Sequence, residues 1–346
     1  MIDNSTQTPK TSPMHAEDSY WHPGEDGSLF DRLRRSLSLP ALPPIASQIL
    51  KMCRNDDTDI EKLADLMSQD PAVVARLLQI ANSSYYGGAR HTVTSIAQAI
   101  TLLGMNAVSS LALSFCFYRL CQDMNHPEHV GMDHTMFWRR SIIASIAGRT
   151  LGHWCKLPDP ELVFIGALLQ DIGLLALNEV APEVTRTLTM DAKDNHTQLQ
   201  RLEKQYFGCD HAKMGSWIAE SWKLPEEFQN AISASHQPEL SHGRTEEEKT
   251  VIRCVALSGL LADLWCRHTE TEEAVHEAAD AAKEWLEFSA DDVLAVIKQI
   301  PEGLSEIASF FQVHIGSTAE VERPLLVATT ILSPILTTPE TQPENA

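Results

Sequence analysis

The sequence predicts an all-α protein, on three observations. In residues 43–53, PPIASQILKMC, apolar side chains recur at the spacing of a single helix face. Helix start signals precede several such segments; one is Asp70-Pro71, an N-cap residue followed by proline at the first helical position. No segment shows a convincing strand pattern, and no repeat of fixed period is present.

Start and stop signals divide the first third of the chain into short helices. Residues 1–28 are polar and contain proline, so we expect them to be disordered. Thr58-Asp-Ile-Glu61 has the form of a capping box at the start of a helix. The helix that begins at Pro71 ends at the turn-rich NSSYYGG, residues 82–88, and Ser95-Ile-Ala-Gln98 forms a second capping box.

A polar loop, QDMNHPEHVGMDH at 122–134, marks the boundary between two predicted subdomains. The predicted organisation is a disordered segment at 1–28, a helical domain at 29–240 with subdomains 29–121 and 135–240, a helical extension at 241–312 and a tail at 313–346. The tail contains the apolar RPLLVATTILSPIL, residues 323–336. That segment is too short to span a membrane, but it could be a docking peptide.

The charge balance excludes some classes of partner. The chain has 47 acidic and 27 basic residues, a net charge of −20, and no visible run of lysine and arginine. Such a field repels phosphate backbones and anionic lipid, so we expect neither a nucleic-acid nor a membrane partner. No uncharged apolar run is long enough for a membrane span, the N-terminus lacks the pattern of a signal peptide, and seven cysteines occur without a CxxC pair. We therefore expect a cytoplasmic protein.

The stretch GALLQDIGLL, residues 166–175, raises the question of catalysis because it carries a carboxylate in an apolar run. Burying Asp171 is costly unless a charge or a hydrogen bond meets it. Asp171, His211 and His236 are predicted on three separate helices and could together form a metal site of a helical phosphohydrolase. Each also has a structural interpretation: a hydrogen bond within a bundle for Asp171, a helix start for His211, and a helix end, where histidine suits the dipole, for His236.

Longer motifs make the chain resemble a known family. The first half carries LPALPPIASQILKMC (39–53), SQDPAVVARLLQIANSSYYGG (68–88) and SIAQAITLLGMNAVSSLALS (95–114). The second carries FWRRS (137–141), FIGALLQDIGLLAL (164–177) and DHAKMGSWIAESWKLPEEFQNAISASHQP (210–238). These segments are similar to the HDOD domain, a bacterial signalling family related to the HD-domain metal phosphohydrolases. The resemblance implies an N-terminal helical subdomain packed on a degenerate HD-like helical bundle.

The resemblance also implies that the metal site is degenerate. The first family histidine corresponds to Arg140, the histidine of the His-Asp pair to Gln170, and one of a histidine pair to Ser235. Arginine has no lone pair to donate and carries a permanent positive charge, so Arg140 would repel a metal and could pair with Asp171. The last acidic ligand falls in VALSGLLAD, where the alignment places Gly259, with Asp263 nearby as the alternative. We therefore expect no catalytic residues, no bound metal and no cofactor.

The expected function is regulatory. The resemblance implies a non-catalytic signal-transduction or scaffold protein that acts through protein–protein interaction in two-component or cyclic-di-GMP signalling. Its partners would be a response regulator, a kinase or a cyclic-di-GMP turnover protein. Tyr85, Tyr86 and Arg140 are the candidate contacts, although the tyrosines could instead close the end of the N-terminal bundle. Two alternatives stay open: a metal-dependent phosphohydrolase with a reduced ligand set, and a sensor that binds a phosphate-containing ligand at Arg140.

Overall fold

The computed structural model describes residues 41–53, 59–86, 92–123, 131–241, 243–267 and 271–333. Within these ranges every regular element is a helix and none is a strand, which confirms the all-α prediction. The predicted disorder of residues 1–28 and the end of the tail from 334 lie outside the described residues.

Five helices form the N-terminal subdomain and pack mainly on one another. They are α1 (Pro44–Cys53), α2 (Ile60–Met67), α3 (Pro71–Ala81), α4 (Ile96–Leu103) and α5 (Met105–Asp123). Asp70 caps α3 as predicted, because its side chain accepts hydrogen bonds from two backbone N–H groups of the first turn. The cap of α2 is Asp59, whose side chain accepts from the backbone N–H of Glu61, so the predicted box at 58–61 places the cap one residue too early.

The second half of the chain forms a larger helical layer. Its helices are α6 (His134–Trp154), α7 (Pro160–Leu169), α8 (Gly173–Val180), α9 (Pro182–Ala192), α10 (His196–Phe207), α11 (His211–Ser221), α12 (Glu226–Ser233), α13 (Glu246–Cys266), α14 (Thr271–Leu286), α15 (Ala290–Phe311) and α16 (Thr318–Leu332). Helix α6 lies at the centre of this layer and contacts α7, α13 and α15. Nearly all of its side chains from Phe137 to Gly152 are buried, including Arg139, Arg140 and Arg149. Burying three arginines is costly unless hydrogen bonds or opposite charges compensate them.

The C-terminal helices are integral to the domain. Helix α13 packs along α6. Helix α15 contacts both α6 and α3, so α15 joins the two subdomains. At that junction Gln79 donates a hydrogen bond to Ser309 (3.0 Å), and Ser84 donates one to Glu306 (2.6 Å). The start of the tail also packs on the domain, since the indole N–H of Trp265 donates to the backbone carbonyl of Val321 (2.9 Å).

Residues Pro160–Val180 form the one stretch in the described ranges that is long and apolar enough to cross a membrane. Here 83% of the apolar window is buried inside the protein. The stretch also changes direction at residues 170–172, between α7 and α8. Its apolar side chains therefore belong to the protein core.

Tyr85 and Tyr86 attach the end of α3 to the central helix. The guanidinium of Arg149 donates hydrogen bonds to the hydroxyl of Tyr85 (2.7 Å) and to that of Tyr86, and it also lies near the faces of both rings. A Cβ atom at Gly303 would meet the ring of Tyr85 at 2.4 Å, so this glycine gives the ring its space. Both tyrosines are half-buried and turned inward. This geometry fits tyrosines that close the end of the N-terminal bundle. Their role as contacts for a partner protein stays a prediction.

We expect the double variant Tyr85→Phe/Tyr86→Phe to be destabilised, because it removes two acceptors from the buried guanidinium of Arg149. The expected loss in free energy of unfolding is about 1–3 kcal/mol, measured by urea denaturation. Tyr206→Phe on α10 is the control and should change the free energy by less than about 0.5 kcal/mol. Equal stability of the double variant and the parent would show that the bonds to Arg149 contribute nothing.

Candidate functional site

Arg140 is the centre of the candidate site. Its Nη1 donates to Asp171 Oδ2, its Nε donates to Asp263 Oδ1 at 2.9 Å, and its Nη2 donates to the backbone carbonyl of Gly259 at 3.1 Å. Both carboxylates are about 2% exposed, and the arginine side chain is 10% exposed. Burial would lower the pKa of Arg140, but Asp171 and Asp263 outweigh it and raise the pKa above its ordinary value. The guanidinium therefore stays charged between two acids.

Both residues considered for the family's last acidic position, Gly259 and Asp263, contact Arg140. Asp263 on α13 supplies the carboxylate, one helical turn after Gly259, which supplies a carbonyl to the same guanidinium. A Cβ atom at Gly259 would meet Gln170 Oε1 at 2.7 Å and Arg140 Nη2 at 3.2 Å. The glycine thus lets Arg140 and Gln170 lie against the backbone of α13.

Asp171 lies in the turn between α7 and α8, and the next glycine brings that turn against α11. A Cβ atom at Gly173 would lie 2.0 Å from the backbone carbonyl oxygen of His211. Only glycine permits this approach, so the sequence Asp-Ile-Gly places the Asp171 carboxylate beside the His211 ring. Burial would raise the pKa of Asp171, yet Arg140 and the neighbouring imidazoles hold it well below its ordinary value.

His211 is fixed by a carboxylate behind it. Glu203 Oε2 accepts the backbone N–H of His211 at 2.9 Å and lies 2.6 Å from its Nδ1. Because a carboxylate accepts hydrogen bonds, Nδ1 carries a proton towards Glu203, and Nε2 faces Asp171 Oδ1 at 3.5 Å. Burial would lower the pKa of His211, but Glu203 raises it to about 10. The ring is fully buried, so its orientation is set by this pair.

A third histidine, which the sequence interpretation missed, completes the cluster. His196 is the first residue of α10, and its Nε2 lies 3.2 Å from Asp171 Oδ1. Burial and the charge of Arg140 lower the pKa of His196. A signal was available: His196 and Glu203 lie seven residues apart, on one face of α10 together with the buried Leu199. Two ionisable residues on the buried face of a helix indicate a site.

His236 closes the cluster from the turn after α12. Its Nε2 lies 2.7 Å from Nε2 of His211, and its ring centroid lies 5.3 Å from that of His196. Burial and the neighbouring charge of His211 hold the pKa of His236 well below its ordinary value. The predicted trio of Asp171, His211 and His236 therefore does come together, and His196 joins it.

Two of the three substituted positions, Gln170 and Arg140, make hydrogen bonds within the protein, and Ser235 lies beside them. Gln170 is buried and its amide donates to the backbone carbonyl of Ala167 (3.0 Å), so the amide turns back onto its own helix. Ser235 is 3% exposed and lines a small cavity together with His236. Arg140 is buried, and each of its three nitrogen atoms already donates, so a partner protein could reach it only indirectly.

A cavity of about 370 Å³ opens beside the cluster. Its wall includes Arg140 and His196 and four carboxylates, those of Asp133, Asp171, Asp194 and Asp263. An anionic ligand would meet more negative than positive charge there, and the guanidinium is already neutralised. The cavity therefore suits a neutral or cationic group better than a free phosphate.

Removing Arg140 should destabilise the protein strongly, because two carboxylates would remain buried without a cation. For Arg140→Ala we expect a loss of at least about 3–5 kcal/mol in free energy of unfolding, measured by chemical denaturation. Arg140→Ala/Asp171→Asn should recover part of it, and adding Asp263→Asn should recover more. An Arg140→Ala variant as stable as the parent would contradict the ion pairs.

Comparisons with known proteins agree with this architecture. A solved HDOD domain protein of unknown function from Geobacter sulfurreducens has a TM-score of 0.64 at 20% identity, covering 82% of this chain and 96% of that one. A candidate phosphohydrolase from Shewanella amazonensis has a TM-score of 0.61 at 21% identity, covering 86% and 97%. A candidate signal transduction protein from Marinobacter aquaeolei has a TM-score of 0.60 at 20% identity, covering 82% and 64%. At these identities the likeness shows the fold.

The sequence comparisons add a family. An uncharacterized protein from Treponema pallidum is 25% identical over 233 residues, which are 67% of this chain and 43% of that protein. The match thus spans less than half the length of that relative. The model of the HDOD domain family matches residues 39–238, more than half of the chain. The chain belongs to the HDOD domain family.

Proposed function

We propose that the protein is a non-catalytic signal-transduction module that acts through protein–protein contacts. The observation that carries the proposal is the position of Arg140, whose guanidinium bridges Asp171 and Asp263. In the related phosphohydrolases, the family resemblance implies, a metal ion is held by a histidine at the position of Arg140 and by an acid at the position of Asp171, with the last acidic ligand falling at Gly259 or Asp263. A fixed organic cation neutralises the acids but cannot bind and activate water as a metal does.

The family and one of its structural relatives support a signalling role. The chain contains the HDOD domain, and the relative from Marinobacter aquaeolei is named as a candidate signal transduction protein. We propose that the partner is a response regulator, a kinase or a cyclic-di-GMP turnover protein, and that the protein binds it in the cytoplasm. With a net charge of −20, the chain would be steered toward a basic surface on that partner.

The two alternatives have less support. A sensor for a phosphate-containing ligand needs free donors at Arg140, but the guanidinium already binds two carboxylates in a cavity with acidic walls. A phosphohydrolase needs an ion with an open position for water between the acids, and Arg140 occupies that place. The relative from Shewanella amazonensis is named as a candidate phosphohydrolase, which keeps this alternative testable.

The absence of catalysis is tested directly by hydrolysis assays. We expect the purified full chain to hydrolyse bis-p-nitrophenyl phosphate, nucleotides and cyclic dinucleotides no faster than buffer, with Mg²⁺, Mn²⁺ or Zn²⁺ added. Asp171→Asn is the matched variant and should give the same background rate. Hydrolysis by the parent that Asp171→Asn abolishes would overturn the proposal.

The signalling role is tested by affinity capture from the native cytosol. We expect the tagged full chain to enrich a response regulator, a kinase or a cyclic-di-GMP enzyme, identified by mass spectrometry. An unrelated bait of similar negative charge is the control, because acidic proteins retain basic ones without specificity. Because Arg140 is buried between two acids, Arg140→Glu would disturb folding and is unsuitable as a control. A captured set identical to that of the control bait would contradict the proposal.

A further inference from the structure

We propose that Asp171, His196, His211 and His236 bind a single transition-metal ion with the ligand preferences of Zn²⁺, displaced from Arg140 to the histidine side of the cluster. One ligand atom from each of these residues lies within 4.8 Å of all the others. The proposal does not depend on the signalling role. It adds a binding site to a domain whose substituted positions indicate no metal.

Two of the four ligand atoms lack a hydrogen bond where burial makes that costly. Asp171 Oδ1 and His196 Nε2 lie 3.2 Å apart but without hydrogen-bond geometry, and neither has another hydrogen-bond partner among the described residues. Their residues are 1% and 8% exposed. Leaving a buried polar atom without a partner is unfavourable, and an ion between the two atoms would satisfy both.

The two oxygen atoms of Asp171 face different partners, Arg140 on one side and the histidines on the other. Arg140 holds Oδ2, which leaves Oδ1 directed at the histidines, 3.2 Å from His196 Nε2 and 3.5 Å from His211 Nε2. Because the guanidinium fixes one oxygen atom, it orients the other. The substitution that removes the family's first histidine thereby presents a carboxylate oxygen to the three histidines.

A carboxylate also orients the His211 ring from the side away from the other ligands. Glu203 holds the Nδ1 proton of His211 at 2.6 Å, so Nε2 is the atom that can bind a metal. A carboxylate behind a histidine in this way is the usual partner of a metal-ligating imidazole. His236 Nε2 faces the same atom at 2.7 Å, a distance that needs one proton between the two rings. Binding of the ion would release that proton to solvent and leave the Nε2 lone pair of each ring free to bind the metal.

The ligand set determines the class of metal. Three imidazole nitrogens and one carboxylate oxygen favour Zn²⁺, Co²⁺ or Ni²⁺ over Mg²⁺ and Ca²⁺, which prefer oxygen. Tetrahedral zinc with bonds near 2.0–2.1 Å needs ligand atoms about 3.3 Å apart. The separations here run from 2.7 Å to at most 4.8 Å, so side-chain shifts of about an ångström suffice.

Four protein ligands give the site a structural or regulatory role. A tetrahedral ion with four protein ligands has no open position for water, unlike a catalytic zinc with three. The ligands come from the α7–α8 turn, the starts of α10 and α11, and the turn after α12. The ion would therefore tie together four parts of the chain around the cavity.

The test is metal binding by the purified full chain after treatment with chelator. We expect one Zn²⁺ per chain by isothermal titration and elemental analysis, and visible Co²⁺ bands of tetrahedral intensity. Zn²⁺ at about 100 times its Kd should raise the melting temperature by about 4 °C or more. Mg²⁺ at the same concentration should not.

Variants separate this site from adventitious binding. His196→Ala and His236→Ala should each lower Zn²⁺ affinity by at least about 100-fold, and Glu203→Gln by about 10–100-fold. His276→Ala, at an exposed histidine of α14, is the matched control and should bind like the parent. Melting temperatures of the metal-free variants check that each variant is folded. His196 and His236 lie on different elements, so if one variant misfolds the other still tests the site.

The outcomes are distinct. Stoichiometric Zn²⁺ binding that is lost in His196→Ala or His236→Ala and kept in His276→Ala supports the site. No binding by the parent, or binding that both ligand variants retain, overturns it. Phosphodiester hydrolysis is measured on the same samples, so a catalytically active protein would refute the non-catalytic proposal without deciding whether the ion binds.

Discussion

The ion pairs of Arg140 are the interaction on which the rest of the structure depends. Helix α6 carries this guanidinium into the core, where Asp171 and Asp263 meet it from two other helices. None of the three charges could be buried alone, because each would lose its hydration without compensation. Together they join α6, the α7–α8 turn and α13.

Two glycines make that arrangement possible. Gly259 lets Arg140 and Gln170 reach the backbone of α13, and Gly173 lets the Asp171 turn approach the first residue of α11. The side chains around them are polar and buried, so small changes in helix spacing would break hydrogen bonds rather than merely loosen packing. The C-terminal extension takes part as well, since Asp263 lies beyond the region matched by the family model.

Much of this could be predicted from the sequence because it depends on local signals. The apolar spacing of a helix, the proline at the first position of α3 and the Asp70 cap each depend on residues close together in the chain. The longer motifs identify the family. The pair of Arg140 and Asp171 followed from the chemistry of the substitution. Gly259 and Asp263 are expected only as alternatives for the family's last acidic ligand, and the sequence does not predict that both contact Arg140. The packing of α13 brings both to the guanidinium.

His196 was missed for a different reason. It belongs to none of the motifs that carry the resemblance, and its role depends on α10 meeting the α7–α8 turn, a contact between distant parts of the chain. The tyrosines at 85 and 86 show the same limit, since their partner Arg149 lies 63 residues beyond Tyr86. Long-range contacts between polar side chains are set by helix packing, which a periodic pattern does not specify.

The most direct test of the central claim is a crystal structure of the full chain grown with Zn²⁺, with anomalous diffraction recorded at the zinc edge. The account predicts a guanidinium between Asp171 and Asp263 and no anomalous peak between those two carboxylates. A peak between them, with Arg140 turned away, would contradict the claim that arginine has replaced the metal.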